Sequence, residues 1–173
     1  MFKTTANKIT MLRIILIPVF LLLAYTGKMI PALSVYIVAC LTDFVDGYIA
    51  RHYNQISNFG KFMDPLADKM LVLAAMCFFV ENGQMAGWAV AIVLFREFAV
   101  SGMRLLAVEQ GKVIAAAWSG KVKTFATMIC LIVMIVVNIN IINIISTVII
   151  VGTTVYSGVE YFYVNRAVFK EAN

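Results

Sequence analysis

The sequence predicts an all-α, polytopic membrane protein with six transmembrane helices and a short N-terminal interfacial helix. Of its 173 residues, 62% are hydrophobic and 13% are charged, whereas a soluble domain carries roughly 45–50% apolar and about 25% charged residues. Apolar runs close to the span length of about 20 residues also recur along the chain between short polar breaks. We therefore expect residues 1–173 to form one membrane domain without a soluble appendage.

Six apolar segments define the expected helices. Turn-forming or polar residues separate them, as Gly27 and Lys28 do after the first segment and Asn138 does before the last. The stretch before the first segment is basic but lacks a small-x-small cleavage site, so we expect an interfacial helix over residues 1–10 instead of a cleaved signal. The expected helices cover residues 12–26, 30–51, 60–80, 84–108, 119–137 and 141–164.

The basic residues predict the orientation. On the six-span arrangement, Lys28 lies on one side of the membrane, and the rest of the 14 lysines and arginines lie on the other side. The positive-inside rule then places both termini in the cytoplasm, and we expect the protein in the cell inner (cytoplasmic) membrane. The net charge of +5 agrees with this bias and with attraction to anionic lipid. Since no nucleic-acid-binding motif accompanies the charge, no nucleic acid partner is expected.

The aspartates are concentrated in one short stretch. Asp43 and Asp46 stand at i and i+3 near the end of the second segment, and Asp64 and Asp68 stand at i and i+4 near the start of the third. Carboxylates at a membrane cost free energy unless they are paired or hydrated. The pairs are satisfied either by lysines and water or by divalent cations. Cation binding is favoured because it accounts for the gathering of every aspartate in this stretch.

Oxygen-only ligands predict Mg²⁺ or Mn²⁺, with two ions held between the two helix-borne pairs. Two adjacent ions can stabilise the attacking and leaving oxygens of a phosphoryl displacement. Cys40, Cys77 and Cys130 lack the spacing of a thiolate metal site. His52, beside Arg51 at an expected turn, is interpreted as a solvated interfacial residue.

Small residues accompany the acids. Gly47 and Ala50 lie one turn apart on the second segment, and Gly60 lies one turn before Asp64. Such residues serve ordinary helix packing in membranes, or they let a flat ligand approach the backbone closely. Beside the aspartates, a slot for a nucleotide is the favoured interpretation.

This spacing resembles the signature of the CDP-alcohol phosphotransferase family. It reads Asp43-x-x-Asp46-Gly47-x-x-Ala50-Arg51, then eight residues, then Gly60-x-x-x-Asp64-x-x-x-Asp68. The resemblance implies a six-span membrane enzyme, usually a homodimer, that transfers a phosphatidyl or similar group from a CDP-linked donor to an alcohol and releases CMP.

The resemblance also implies residue roles. Asp43, Asp46 and Asp64 would hold the first metal ion, while Asp64, with Asp43 and Asp68, would hold the second. Asp68 would be the catalytic general base. Asn7 and Thr10, with Arg13, would either bind donor phosphates or anchor the interfacial helix. The expected CDP-lipid-binding residues are Asn7, Thr10, Gly47, Ala50, Arg51, Ser57 and Gly60.

Four basic residues predict a pocket for the phosphate of an acceptor. Arg96 and Arg104 stand at i and i+8, close to one face of the fourth segment, and Lys121 and Lys123 open the fifth. Arginine grips phosphate through parallel donors. The lysines could instead extend to lipid head groups, and Arg96 could instead pair with Glu97 or an aspartate. Glu97 itself could orient Arg96 or touch the acceptor.

A narrower resemblance covers the whole chain. The stretches 7–13 with Pro18, 64–69, 96–104 and 118–124 are similar to bacterial phosphatidylglycerophosphate synthases. That implies CDP-diacylglycerol as donor and sn-glycerol 3-phosphate as acceptor. Inositol phosphate, serine and phosphatidylglycerol remain as alternative acceptors. A divalent-cation transporter is disfavoured because the acids gather toward one membrane face and no inverted repeat is visible, and the full set of acids disfavours an inactive scaffold.

Overall fold

A computed structural model describes residues 5–52, 58–111, 114 and 117–166, although side chains within 5–8, 43–52, 58–62 and 64–65 lie outside the description. These residues form helices, and no strand occurs among them, so the predicted all-α class is confirmed. The helices are α1 Thr5–Tyr25, α2 Met29–His52, α3 Asn58–Glu81, α4 Gly87–Glu109, α5 Trp118–Val136 and α6 Asn140–Val164.

The N-terminal region differs from its prediction. Residues 5–10 belong to α1, which runs without interruption from Thr5 to Tyr25, so no break separates the described part of the expected interfacial helix from the first segment. No glycine or proline lies between Thr5 and Leu12. Extending an existing helix is easier than nucleating a second one, which explains the continuity.

Glycines follow three of the helices near the ends that the sequence predicted. Gly27 after α1 has a φ of 75°, Gly83 after α3 has a φ of 68°, and Gly111 after α4 has a φ of 70°. This left-handed conformation suits glycine and lets the chain close the helix end. At the end of α1, the Lys28 amide accordingly donates to the Leu23 carbonyl at 3.0 Å.

The chain divides into two compact units. The first comprises residues 1–82 and 135–138, and the second comprises residues 83–134 and 139–173. In the first unit α1 packs against α2 and α3, which also pack against each other. Small residues permit this close approach, since Ala32, Ala39, Ala67 and Ala75 have no exposed surface.

In the second unit α4 packs against α6. The buried residues of α6 follow alternating intervals of four and three, the spacing of one continuous helix face. This α6 face is mostly polar, whereas the buried residues of α4 are apolar. The buried α6 residues at this spacing are Asn143, Thr147, Ile150, Thr154, Ser157 and Tyr161.

Within the described part of the chain, two helices, α5 and α6, are long and apolar enough to cross a membrane. Charged residues interrupt the apolar stretch of α4, namely Arg96, Glu97 and Arg104. Large hydrophobic side chains are nevertheless exposed on every helix, including Ile15, Ile30, Met70, Phe95, Phe125 and Val148. The six-span topology stays a prediction.

Candidate metal and phosphate sites

The backbone places the four aspartates on two neighbouring helices. Asp43 and Asp46 lie near the end of α2, and Asp64 and Asp68 lie in the first half of α3. These helices are joined by residues 53–57 and pack against each other. The side chains of Asp43, Asp46 and Asp64 lie outside the described residues, and the side chains that are described contain no group of three metal-binding residues. The four-aspartate metal site therefore stays a prediction.

The side chain of Asp68 is held by Arg13 from α1. Arg13 has no exposed surface, and its Nη1 donates to Asp68 Oδ1 in an ion pair. Its Nε also donates to Thr42 Oγ1 on α2 at 3.4 Å. Arg13 thereby connects all three helices of the first unit. Because the Asp68 side chain is 39% exposed, its carboxylate stays accessible to a ligand.

Among the residues predicted to contact the CDP-lipid, Thr10 is the one whose side chain the structure describes. Thr10 is fully buried, one turn before Arg13 on α1. Thr10 therefore faces the helix packing of the first unit together with Arg13. The rest of the predicted contacts lie outside the described side chains: Asn7, Gly47, Ala50, Arg51, Ser57 and Gly60.

Glu97 organises the basic residues of the second unit. Its Oε1 accepts hydrogen bonds from Arg96 Nη1 at 3.1 Å and from Lys123 Nζ at 2.6 Å. The exposed fractions of these side chains are only 12% for Arg96, 6% for Lys123 and 14% for Glu97. The pairing of Arg96 with Glu97, left open by the sequence, is confirmed. Since one carboxylate serves two cations, the three side chains together carry a net positive charge.

Arg96 lies where α4, α5 and α6 meet. Its Nη2 donates to Ser157 Oγ at 2.5 Å. A Cβ added at Gly158 would lie 3.2 Å from Arg96 Cγ, and one added at Gly120 would lie 3.4 Å from Nη2. The two glycines therefore leave the space that the arginine side chain occupies.

The remaining two basic residues differ in their positions. Arg104 Nε donates to the Tyr161 hydroxyl at 2.9 Å, so both arginines contact α6, as expected from their shared helix face. Lys121 is exposed, with Nζ 6.0 Å from the centre of the Trp118 ring. Residues at i and i+2 of a helix do not face each other, which explains why Lys121 and Lys123 lie in different surroundings.

Sequence reasoning missed several residues of these sites. Ser157, Tyr161 and Gly158 contact the arginines from α6. The regular spacing of polar residues along α6 was a usable signal for a buried face. The pairing of Arg13 with Asp68 joins residues 55 positions apart, and no local pattern indicates it.

Comparison with known proteins defines the class. A family model described as CDP-alcohol phosphatidyltransferase matches residues 3–157. The chain belongs to this family of transferases, whose members generally use divalent metal ions.

Individual relatives are similar over most of the chain. The CDP-diacylglycerol–glycerol-3-phosphate 3-phosphatidyltransferase of Bacillus subtilis (strain 168) is 38% identical over 96% of this chain and 97% of its own length. The protein of the same name from Escherichia coli (strain K12) is 40% identical over 71% of each chain. A probable phosphatidylglycerophosphate synthase of Mycobacterium tuberculosis (strain ATCC 25618 / H37Rv) is 34% identical over 90% of this chain and 78% of its own length.

Proposed function

We propose that this enzyme transfers the phosphatidyl group of CDP-diacylglycerol to sn-glycerol 3-phosphate, forming phosphatidylglycerophosphate and CMP. The observation that carries the proposal is the match of nearly the whole chain to the Bacillus subtilis transferase at 38% identity. That enzyme's name states both substrates. The two charged clusters of the chain support the same reaction, because it needs a cation-binding site and a phosphate-binding site.

The cation-binding site is assigned to Asp43, Asp46, Asp64 and Asp68. Four carboxylates form a donor set of oxygens alone, which suits two Mg²⁺ or Mn²⁺ ions and no softer metal. Bound ions would neutralise charge on the donor pyrophosphate. The packing of α2 against α3 and the partial exposure of Asp68 support this assignment.

Asp68 is assigned as the general base. Its carboxylate takes the proton of the free primary hydroxyl of glycerol 3-phosphate. The resulting oxygen forms a bond to the lipid-linked phosphorus, and the bond from that phosphorus to CMP breaks. Arg13 positions the carboxylate from a fully buried site, so the proton acceptor is held in place before substrate binds. General-base help of this kind contributes about 10²–10⁴-fold in rate.

The acceptor phosphate is assigned to Arg96, Arg104, Lys121 and Lys123. The cluster of Arg96 and Lys123 on Glu97 supports this assignment, since it holds two phosphate-binding cations close together. Arginine adds directional donors.

The remaining contacts are assigned to the donor lipid. Small residues on α2 and α3 would let the cytidine approach the backbone, while polar residues of α1 and the basic residue of α2 would contact the phosphates. This set comprises Asn7, Thr10, Gly47, Ala50, Arg51, Ser57 and Gly60.

The enzyme is placed in the cell inner membrane as a single domain of six transmembrane helices, with the active site facing the cytoplasm and a homodimer as the assembly. Exposed hydrophobic side chains on every helix support contact of the helices with lipid. The excess of basic residues on one side of the arrangement supports the orientation.

The test is a CMP-release assay on the purified protein with CDP-diacylglycerol and Mg²⁺. Glycerol 3-phosphate, inositol phosphate, serine and no acceptor are compared, each with and without EDTA. Release with glycerol 3-phosphate alone, abolished by EDTA and restored by added Mg²⁺, is expected. Release with another acceptor would contradict the acceptor assignment, and folded protein without any release would contradict the proposed reaction.

A further inference from the structure

A groove lies between the first turns of α5 and the second half of α6. Trp118, Ser119 and Val122 line it from α5, and Gly152, Thr153, Tyr156 and Glu160 line it from α6. Gly152 contributes no side chain, which leaves the groove open between the two helices. No residue assigned to the reaction lines it.

Two polar groups of this groove lack hydrogen-bond partners within the described part of the chain. Ser119 is 8% exposed, and its hydroxyl has no partner there. The Oε2 atom of Glu160 is also buried and has none. Leaving such groups unsatisfied costs free energy, most of all for a charged oxygen. The Glu160 carboxylate accepts hydrogen bonds and the Ser119 hydroxyl can accept one, so a cation that donates hydrogen bonds satisfies both groups.

The aromatic residues of the groove favour the same ligand. The rings of Trp118 and Tyr156 are largely exposed, at 76% and 67%, and they border the groove that Glu160 lines. Aromatic faces attract cations through the ring quadrupole. A primary ammonium satisfies all three features, because it carries charge, fits against rings and donates three hydrogen bonds. A quaternary ammonium lacks the donors.

The position of the groove identifies the source of the ammonium. Trp118 is the first residue of α5, and Glu160 lies in the last turns of α6, so both stand at the same end of the two helices able to cross a membrane. Exposed apolar side chains continue from the groove along these helices, among them Phe125, Ile149 and Val148. A lipid could therefore lay its acyl chains on α5 and α6 and its head group in the groove.

We propose that the α5–α6 groove binds the primary ammonium head group of a membrane lipid such as phosphatidylethanolamine, through Glu160 and Ser119 between Trp118 and Tyr156. This binding is distinct from the transfer reaction. The proposal rests on the proposed function only in requiring that α5 and α6 lie in the bilayer.

Tryptophan fluorescence tests the proposal directly. The chain has two tryptophans, so W88F leaves Trp118 as the single reporter. The protein is reconstituted in phosphatidylglycerol vesicles containing either brominated phosphatidylethanolamine or brominated phosphatidylcholine at equal mole fraction. We expect Trp118 to show about a three- to tenfold preference for the ethanolamine lipid, the size expected for one ammonium held by a carboxylate and aromatic rings.

Variants assign the preference to the groove. Glu160→Gln is expected to abolish the preference and Ser119→Ala to reduce it, while Glu109→Gln, at an exposed acid at the end of α4, retains it. Equal quenching by the two lipids, a preference unchanged in Glu160→Gln, or no quenching of Trp118 by either lipid would overturn the proposal. CMP release is measured on the same samples to separate the lipid-binding proposal from the proposed transfer reaction. If the unsubstituted groove shows no preference for the ethanolamine lipid while CMP release is intact, only the lipid-binding proposal is contradicted.

Discussion

In the first unit Arg13 forms an ion pair with Asp68, whereas in the second unit Arg96 and Lys123 share the carboxylate of Glu97. Both clusters place charge among apolar helices, where an unpaired charge is costly. They differ in the ligand that is proposed for each: divalent cations at the aspartates of the first unit and a phosphate at the Glu97 cluster of the second.

The two clusters also differ in how their charges are held. Arg13 is fully buried, but its partner Asp68 is partly exposed. All three members of the Glu97 cluster are largely buried. A catalytic side chain must be accessible to its substrate, whereas a residue that only positions its neighbours can be buried. The difference agrees with a catalytic role for Asp68 and a positioning role for Glu97.

The largest effect is expected from Asp68→Asn, which removes the proton acceptor and keeps the shape of the side chain. CMP release should fall about 10²–10⁴-fold. The measurement is a steady-state assay on purified protein, with thermal unfolding as a check on folding. Glu109→Gln serves as the matched control and should keep its rate. Activity within twofold of the unsubstituted enzyme would contradict the assignment of Asp68.

A smaller effect is expected from Arg13→Met, which keeps much of the buried volume and removes the ion pair. Turnover should fall about tenfold, since misplacing a reacting group is costly. The free energy of unfolding should also fall, by about 1–2 kcal/mol, because Asp68 is partly exposed and keeps some hydration. A double-mutant cycle with Asp68→Asn should show coupling between the two sites. Independent effects would argue that the contact does not position the carboxylate.

Glu97→Gln tests the second cluster. The substitution leaves Arg96 and Lys123 close together without their shared carboxylate, and we expect the free energy of unfolding to fall by about 1–3 kcal/mol. The KM for glycerol 3-phosphate should rise several-fold as Arg96 loses its orientation. Adding Lys123→Met to this variant should recover part of the stability, since the repulsion between the two cations is removed. No recovery would show that the cations do not interact through Glu97.

Variants at Arg104 and its partner Tyr161 should change acceptor binding alone, and the smallest effect is expected at Tyr161. Arg104→Ala should raise the KM for glycerol 3-phosphate about five- to tenfold, less than a fully buried charged hydrogen bond would give because Arg104 is exposed, and leave the KM for CDP-diacylglycerol unchanged. Tyr161→Phe removes only the hydroxyl that holds Arg104, so its effect should be about two- to threefold. Lys121→Ala is tested in the same assay and is expected to act on the same KM. A loss of CDP-lipid affinity in these variants would contradict the pocket assignment.

The helices were predictable because their signals are local. Apolar runs and breaks at Gly27, Gly83 and Asn138 locate the helix ends within a few residues of α1, α3 and α5. The exception is the N-terminus, where charge indicated a separate interfacial helix although the backbone continues as part of α1. Basic residues indicate which part of the chain prefers the membrane surface, but they do not interrupt a helix.

The sites were predictable only in part. The spacing of Asp64 and Asp68 places both on α3, and adjacency makes the pairing of Arg96 with Glu97 one of few choices. The partner of Arg13 was not readable, because four aspartates were equally eligible and the choice depends on how α1 packs against α3. Lys123 reaches Glu97 for the same reason, through the packing of separate helices.

Arg96 lies against two glycines, Gly120 of α5 and Gly158 of α6. A Cβ at position 158 would crowd the Arg96 side chain at Cγ, so the residues at positions 96 and 158 are expected to depend on each other. Alanine at position 158 should be tolerated once Arg96 is replaced by a smaller residue, and less so while the arginine is present. Exchanging α4 between relatives of this enzyme would therefore be expected to require the matching residue 158 of α6 as well.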